Sequence, residues 1–121
     1  MQITRLVPHA QLPTRTTGIG YDIYSAEGYV VQPGERVVIS TGLKVSLPQG
    51  YYGTLFSKTG ITIKHGVTVT GLLEPGYEGE LKVVLFNFDR KSFVVRQGYR
   101  VAELVVAPCV TPDPVEIVPD N

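Results

Sequence analysis

The chain has 121 residues, Lys+Arg and Asp+Glu each total 11, and 43% of the residues are hydrophobic, giving a formal net charge of zero. That is enough chain for one core and leaves no room for a second catalytic domain. The charge balance lacks the basic footprint of a protein that binds nucleic acid through its phosphates, and the longest apolar runs fall far short of the roughly 20 residues that span a bilayer.

Val, Ile and Thr together supply 36 residues, interrupted at short intervals by 13 Gly and 9 Pro, a pattern of many short strands. Alternation predicts strands over 28–31, 36–40, 43–46, 50–56, 67–70, 79–89, 93–95 and 100–107. Between them lie turns at Gln32-Pro-Gly-Glu35, Leu47-Pro-Gln-Gly50, Glu74-Pro-Gly-Tyr77 and Arg96-Gln-Gly98. In the two Pro-Gly pairs, Pro presets φ and Gly supplies the positive φ of a type II turn. No window carries an apolar stripe at helical spacing free of Gly, Pro and dense β-branching, so no helix is predicted. The fold class is therefore all-β, a sandwich, jelly roll or barrel, over residues 1–108. Residues 109–121 hold three prolines and read as an extended arm, adding at most an edge strand and lying on a neighbour in an oligomer. The one cysteine, Cys109, excludes an internal disulfide, and beside it only His9 and His65 are present, with no zinc-like spacing. With no signal-peptide core at the start, the expectation is a soluble intracellular protein using neither membrane nor nucleic acid.

Four places combine polar groups with unusual backbone. In Gly18-Ile-Gly-Tyr-Asp-Ile-Tyr-Ser-Ala26, glycines precede Asp22 just before an expected strand, a setting that equally suits an Asp bonding its own turn. Phe56-Ser-Lys-Thr-Gly-Ile61 offers a cation, hydroxyls and a glycine that can present donors to phosphate, although it lacks Walker spacing and also suits a plain polar loop. Residues 67–80 read as a hairpin whose arms meet at Pro75-Gly76. Glu74 ends its apolar strand, where a desolvated carboxylate can act as a general base on water and an exposed one is merely solvated. Tyr77 offers a flat face for a base or sugar, or for ordinary packing. In Gly98-Tyr-Arg-Val-Ala-Glu-Leu104, the two-residue period points Arg100 and Glu103 to opposite faces.

In order and spacing, these segments resemble the trimeric dUTP diphosphatase (dUTPase) family from about Arg15 to Pro108. Gly20-Tyr-Asp-Ile-Tyr-Ser-Ala26 resembles its first motif, and Lys58-Thr-Gly-Ile with Lys64-His-Gly66 resembles its second, Arg-Ser-Gly-Leu with a downstream Lys. Gly71-Leu-Leu-Glu-Pro-Gly-Tyr-Glu-Gly-Glu80 is similar to Gly-Val-Ile-Asp-x-Asp-Tyr-x-Gly-Glu, and Gly98-Tyr-Arg-Val-Ala-Glu-Leu104 to Gly-Asp-Arg-Ile-Ala-Gln-Leu.

The resemblance implies a distorted jelly-roll subunit in a threefold homotrimer with sites between subunits. The implied reaction splits dUTP into dUMP and diphosphate, with Mg²⁺ held through the triphosphate and no direct protein ligand. Glu74 stands where the family's water-activating Asp stands, and Tyr77 where its deoxyribose-stacking Tyr stands. Thr68, Gly71 and Leu72 fall in the hairpin whose backbone reads uracil. Lys58 and Thr59, with Gly60, replace the phosphate-binding Arg-Ser-Gly, and Glu103 replaces a Gln near the phosphates. Asp22 and Arg100 match as structural motif residues.

The departures weigh on activity. Glu for Asp moves the carboxylate by a methylene, and a displacement of about 1 Å can cost on the order of a hundredfold in rate. Lys for Arg loses the bidentate fork, and Glu103 places a negative charge beside a triphosphate. The family's fifth motif, a Gly-rich arm closing over the nucleotide, has no counterpart after Ile117, which predicts weakened or absent turnover. The alternative is a dUTPase-derived interaction protein with a host protein partner, similar to the viral early-region proteins of adenoviruses, although the end Val118-Pro-Asp-Asn121 lacks their PDZ-binding pattern. The related dCTP deaminases carry a catalytic Glu where this chain has Val84, which argues against deamination.

Overall fold

The computed structural model describes residues 1–120. In chain order it forms β1 (Gln2–Arg5), β2 (Thr14–Arg15), β3 (Tyr21–Tyr24), β4 (Tyr29–Val31), β5 (Arg36–Ser40), β6 (Leu43–Ser46), β7 (Tyr51–Phe56), helix α1 (Thr59–His65), β8 (Val67–Thr70), β9 (Leu72–Leu73), β10 (Lys82–Asn87), β11 (Phe93–Val95) and β12 (Arg100–Pro108). All strand pairs are antiparallel. A five-stranded sheet runs in the order β2-β3-β12-β7-β9 and a three-stranded one in the order β5-β10-β8, with the ribbons β1-β6 and β4-β11 beside them. Ile23, Leu55, Leu73, Ala102 and Leu104 of the larger sheet join Ile39, Val69, Val83 and Leu85 of the smaller one in a single core. The result is the distorted all-β jelly roll.

Strands β5, β6, β8 and β11 have the predicted bounds: β6 and β8 alternate buried Leu or Val with more exposed Lys, Ser or Thr, while β5 and β11 alternate burial with Val38 and Val94 facing outward. Both Pro-Gly turns also form as their residues dictate. Tyr77 N–H donates to the Glu74 carbonyl at 3.2 Å across a Gly76 with φ of 80°, and Glu35 N–H donates to Gln32 at 3.1 Å.

Elsewhere the structure departs from expectation. Residues 59–65 form α1, where no helix is predicted. The helix buries none of its residues, so it leaves no apolar stripe to detect. Ile61 packs against the core at partial burial and His65 lies against Phe93, and polar ties add to these. Thr62 Oγ1 donates to the Val67 carbonyl at 2.8 Å and to Ser57 Oγ at 3.2 Å, and Gly66 closes the last turn in the left-handed region. Four strands, β1, β2, β3 and β9, lie outside the predicted set, two of them only two residues long. Asp22 is within β3 rather than before a strand.

The hairpin over 67–80 is divided. β8 pairs with β10 in one sheet, whereas Leu72 and Leu73 of β9 cross to pair with Thr54 and Gly53 of β7 in the other. The connection carrying Glu74 to Tyr77 thereby bridges the two sheets. Beyond Pro108 the described residues have no regular structure, and Cys109 N–H donates to the Gly50 carbonyl at 2.8 Å.

Candidate functional site

One face of the five-stranded sheet carries four of the singled-out residues, Asp22, Leu72, Arg100 and Glu103. Glu103 on β12 sits opposite Asp22 on β3 and Phe56 on β7. Two residues along, Val105 opposes Thr54, which in turn opposes Leu72 on β9. Cross-strand partners share a face, so the acids Asp22 and Glu103, the apolar Phe56 and Leu72, and the edge leading to Glu74 lie on one continuous surface.

Arg100 belongs to that face too. Strand parity alone would separate it from Glu103, but the register shifts between Arg100 and Ala102, where β12 carries an irregularity against β3. The extra residue reverses the alternation at that point. Arg100 pairs opposite Tyr24, two residues from Asp22, and its Nη1 donates to Asp22 Oδ2 at 3.5 Å. The expectation of opposite faces is thus overturned by a bulge.

Lys58 completes the cluster from the end of β7. Its Nζ lies 3.3 Å from Asp22 Oδ1 and 3.3 Å from Glu103 Oε2. Asp22 is 9% exposed and its Oδ1 accepts no hydrogen bond, so that oxygen depends on the ammonium for compensation, at ion-pair distance but without hydrogen-bond geometry. Glu103 Oε1 is reached by Thr16 Oγ1 at 3.4 Å, and the same hydroxyl donates to the Gly20 carbonyl at 2.8 Å. Thr59 and Gly60 follow Lys58 as exposed residues of the first turn of α1.

The second group of residues lies on the bridging turn. Glu74 is exposed, and with Tyr52, Leu72, Pro75, Cys109 and Thr111 it lines a mainly apolar cavity of about 480 Å³. Tyr77 folds back over its own turn, its hydroxyl donating to the Glu80 carbonyl at 2.8 Å, with 44% of the residue exposed. The ring takes this position over Gly79, where a Cβ would collide with it. No hydrogen bond or ion pair among the described residues joins Glu74 or Tyr77 to the Lys58 cluster.

Thr68, expected to serve through its backbone, has its hydroxyl 3.1 Å from Ser57 Oγ. The Gly71 carbonyl accepts from Leu55 N–H at 2.9 Å, and a Cβ there would strike the Leu55 side chain. β8 is the edge of its sheet, so its open side presents backbone donors and acceptors.

Several residues escape the sequence reading. Glu80 Oε2 accepts from Gly42 N–H at 2.8 Å and from Ser40 Oγ, pinning the bridging turn to the β5–β6 connection. Glu78 pairs with Lys44 beside it. Tyr52, Cys109 and Thr111 reach the cavity only through the β7–β12 pairing, a long-range feature that leaves no local signal. Away from the site, Tyr29 has its pKa raised, first by burial, while its hydroxyl accepts from Ser40 N–H at 2.9 Å.

Among the described residues no set of three or more His, Cys, Asp or Glu side chains converges as a metal nest.

The dUTPase family profile matches residues 8–120. The deoxyuridine 5'-triphosphate nucleotidohydrolase of Mus musculus is 35% identical over 97% of this chain and 74% of its own length. The mitochondrial one of Homo sapiens is 39% identical over 87% of this chain, which spans only 43% of that longer protein. Among solved structures, a mutant dUTPase from phage phi11 of S. aureus, described with a structural Mg(II) ion, superposes with a TM-score of 0.90 at 30% identity, covering 96% of this chain and 95% of that one. A mutant dUTPase of Staphylococcus bacteriophage 80alpha with dUpNHpp superposes at 0.89 and 30% identity, covering 99% and 97%.

Proposed function

The chain belongs to the dUTPase family, and from that premise we propose that it hydrolyses dUTP to dUMP and diphosphate. The observation that carries the proposal is the bridging turn. It places an exposed carboxylate, Glu74, at the rim of a cavity of about 480 Å³, with the exposed Tyr77 ring three residues on. A cavity of that size suits a nucleoside-sized ligand.

In this reading Glu74 accepts a proton from the attacking water and Tyr77 lies against the sugar. The open edge of β8, from Thr68 towards Gly71 and Leu72, hydrogen-bonds the base. Lys58, Thr59 and Gly60 face the phosphates, while Glu103, Asp22 and Arg100 hold Lys58 in place. Mg²⁺ would be held through the triphosphate, whose charge it would screen.

Separation of the two groups is compatible with sites shared between copies of the chain. Phe56 at 50% and Leu72 at 59% exposure leave that face of the five-stranded sheet apolar and uncovered in one chain, which supports a homotrimer. A second reading, a dUTPase-derived partner-binding protein with little turnover, draws support from one observation: Lys58 is already neutralised by two carboxylates.

The deciding experiment measures diphosphate release from dUTP, dTTP, dCTP and UTP with Mg²⁺, beside Glu74→Gln. Selective dUTP turnover, lowered at least a hundredfold by the substitution, is expected. No turnover in folded protein overturns the enzymatic reading. Light scattering on the same sample should give three times the 13.2 kDa of one chain, and a monomer removes the shared sites.

A further inference from the structure

Two of the residues that depart from the family motifs, Lys58 for Arg and Glu103 for Gln, meet each other in space, with Lys58 Nζ 3.3 Å from Glu103 Oε2. The same ammonium lies 3.3 Å from Asp22 Oδ1, which accepts no hydrogen bond. Arg100 serves the other Asp22 oxygen at 3.5 Å. The cluster thus holds two cations and two carboxylates and carries no net charge, whereas a Gln at 103 would leave it positive.

We infer that Glu103 holds Lys58 in a self-neutralised pair that a phosphate chain must open, which makes Glu103 the residue setting affinity for polyphosphate. The inference rests on the nucleotide reading above and refines it. An ammonium is a compact point charge without the guanidinium fork, and it cannot reach out to a phosphate oxygen while staying on both carboxylates. When Lys58 turns to a phosphate oxygen, Asp22 loses the charge facing its buried Oδ1 and Glu103 is left beside an incoming polyanion. The Lys58 side chain is 30% exposed, so a ligand can reach it.

The penalty rises with the charge of the ligand. It is largest for a triphosphate, smaller for a monophosphate and absent for a nucleoside. The site is thereby biased towards dUMP relative to dUTP, compared with the same site carrying Gln at 103. Glu103→Gln tests this with little risk to folding, because it keeps the side-chain length and an oxygen acceptor for Thr16.

The test is calorimetric titration of the full chain and of Glu103→Gln with dUpNHpp, dUMP and deoxyuridine, with Mg²⁺ present. Glu103→Gln is expected to tighten dUpNHpp about tenfold, dUMP by less, and deoxyuridine not at all. Lys58→Met should weaken dUpNHpp more in the Glu103→Gln background than in the wild type, since only there is the ammonium free. Unchanged or weaker dUpNHpp binding by Glu103→Gln overturns the inference, as does an equal effect of Lys58→Met in both backgrounds. Failure of the wild type to bind deoxyuridine or dUMP refutes the nucleotide reading instead. Inorganic triphosphate then replaces dUpNHpp in the same variants, where tightening by Glu103→Gln supports the pair and no change overturns it.

Discussion

Glu80 offers the sharpest test of how the bridging turn is held. Its Oε2 accepts from Gly42 N–H at 2.8 Å and from Ser40 Oγ, so Glu80→Ala strands two donors between the sheets. Hydrogen bonds to a charged group contribute about 1.5–3 kcal/mol each. Glu80 is only partly buried and water can replace some of this, so the loss should be about 2–4 kcal/mol. For a domain of this length that is a fall in Tm of about 6–15 °C. Glu80→Gln keeps an acceptor for Gly42 and should lose less than half as much. The neighbouring Glu78, 74% exposed in its pair with Lys44, is the control, and Glu78→Ala should stay within about 0.5 kcal/mol. The functional arm of the same experiment is dUMP affinity, because Tyr77 is anchored on the Glu80 carbonyl and loosens with the turn. Thermal unfolding and calorimetry on the three variants decide the matter. A Glu80→Ala protein melting within 1 °C of the wild type, or a Gln variant as damaged as the Ala one, refutes the clamp.

Gly79→Ala separates ligand binding from stability. The added methyl collides with the Tyr77 ring, and because that ring is exposed it can swing away at a cost under about 1 kcal/mol. Deoxyuridine nucleotides should then bind several-fold more weakly with Tm nearly unchanged, and unaltered dUMP affinity would remove Tyr77 from the site. Tyr29 sets an alkaline limit. Its pKa is raised in the folded chain by burial, so the stability tied to its neutral form is complete below about pH 10 and is lost as pH rises through the raised value. Urea midpoints should fall more steeply between pH 9 and pH 11 in the wild type than in Tyr29→Phe, and equal slopes count against the assignment.

The predicted strands and turns rest on local rules. Alternation places the residues of β5, β6, β8 and β11 on two faces, and Pro33-Gly34 and Pro75-Gly76 each contain a residue whose φ is preset and one tolerating a positive φ. Four ordered motifs likewise lie along the chain and name the family without any contact being known. What tertiary structure decided is everything that depends on a partner distant in sequence. Helix α1 has no fully buried residue and is held by the ties of Thr62 to Ser57 and Val67 and by the contacts of Ile61 and His65, too few apolar positions for periodicity to register. Leu72 and Leu73 leave the hairpin to pair with β7, which buries Leu73 while Leu72 stays exposed. The irregularity after Arg100 cancels the two-residue period and gathers Arg100, Asp22, Glu103 and Lys58 into one cluster, 36 to 81 residues apart along the chain for all pairs but those within the last motif. A strand's parity is a local property, whereas a bulge is accommodated by the register of its neighbour. The composition of the cluster could thus be read from the chain, and its electrostatics only from the fold.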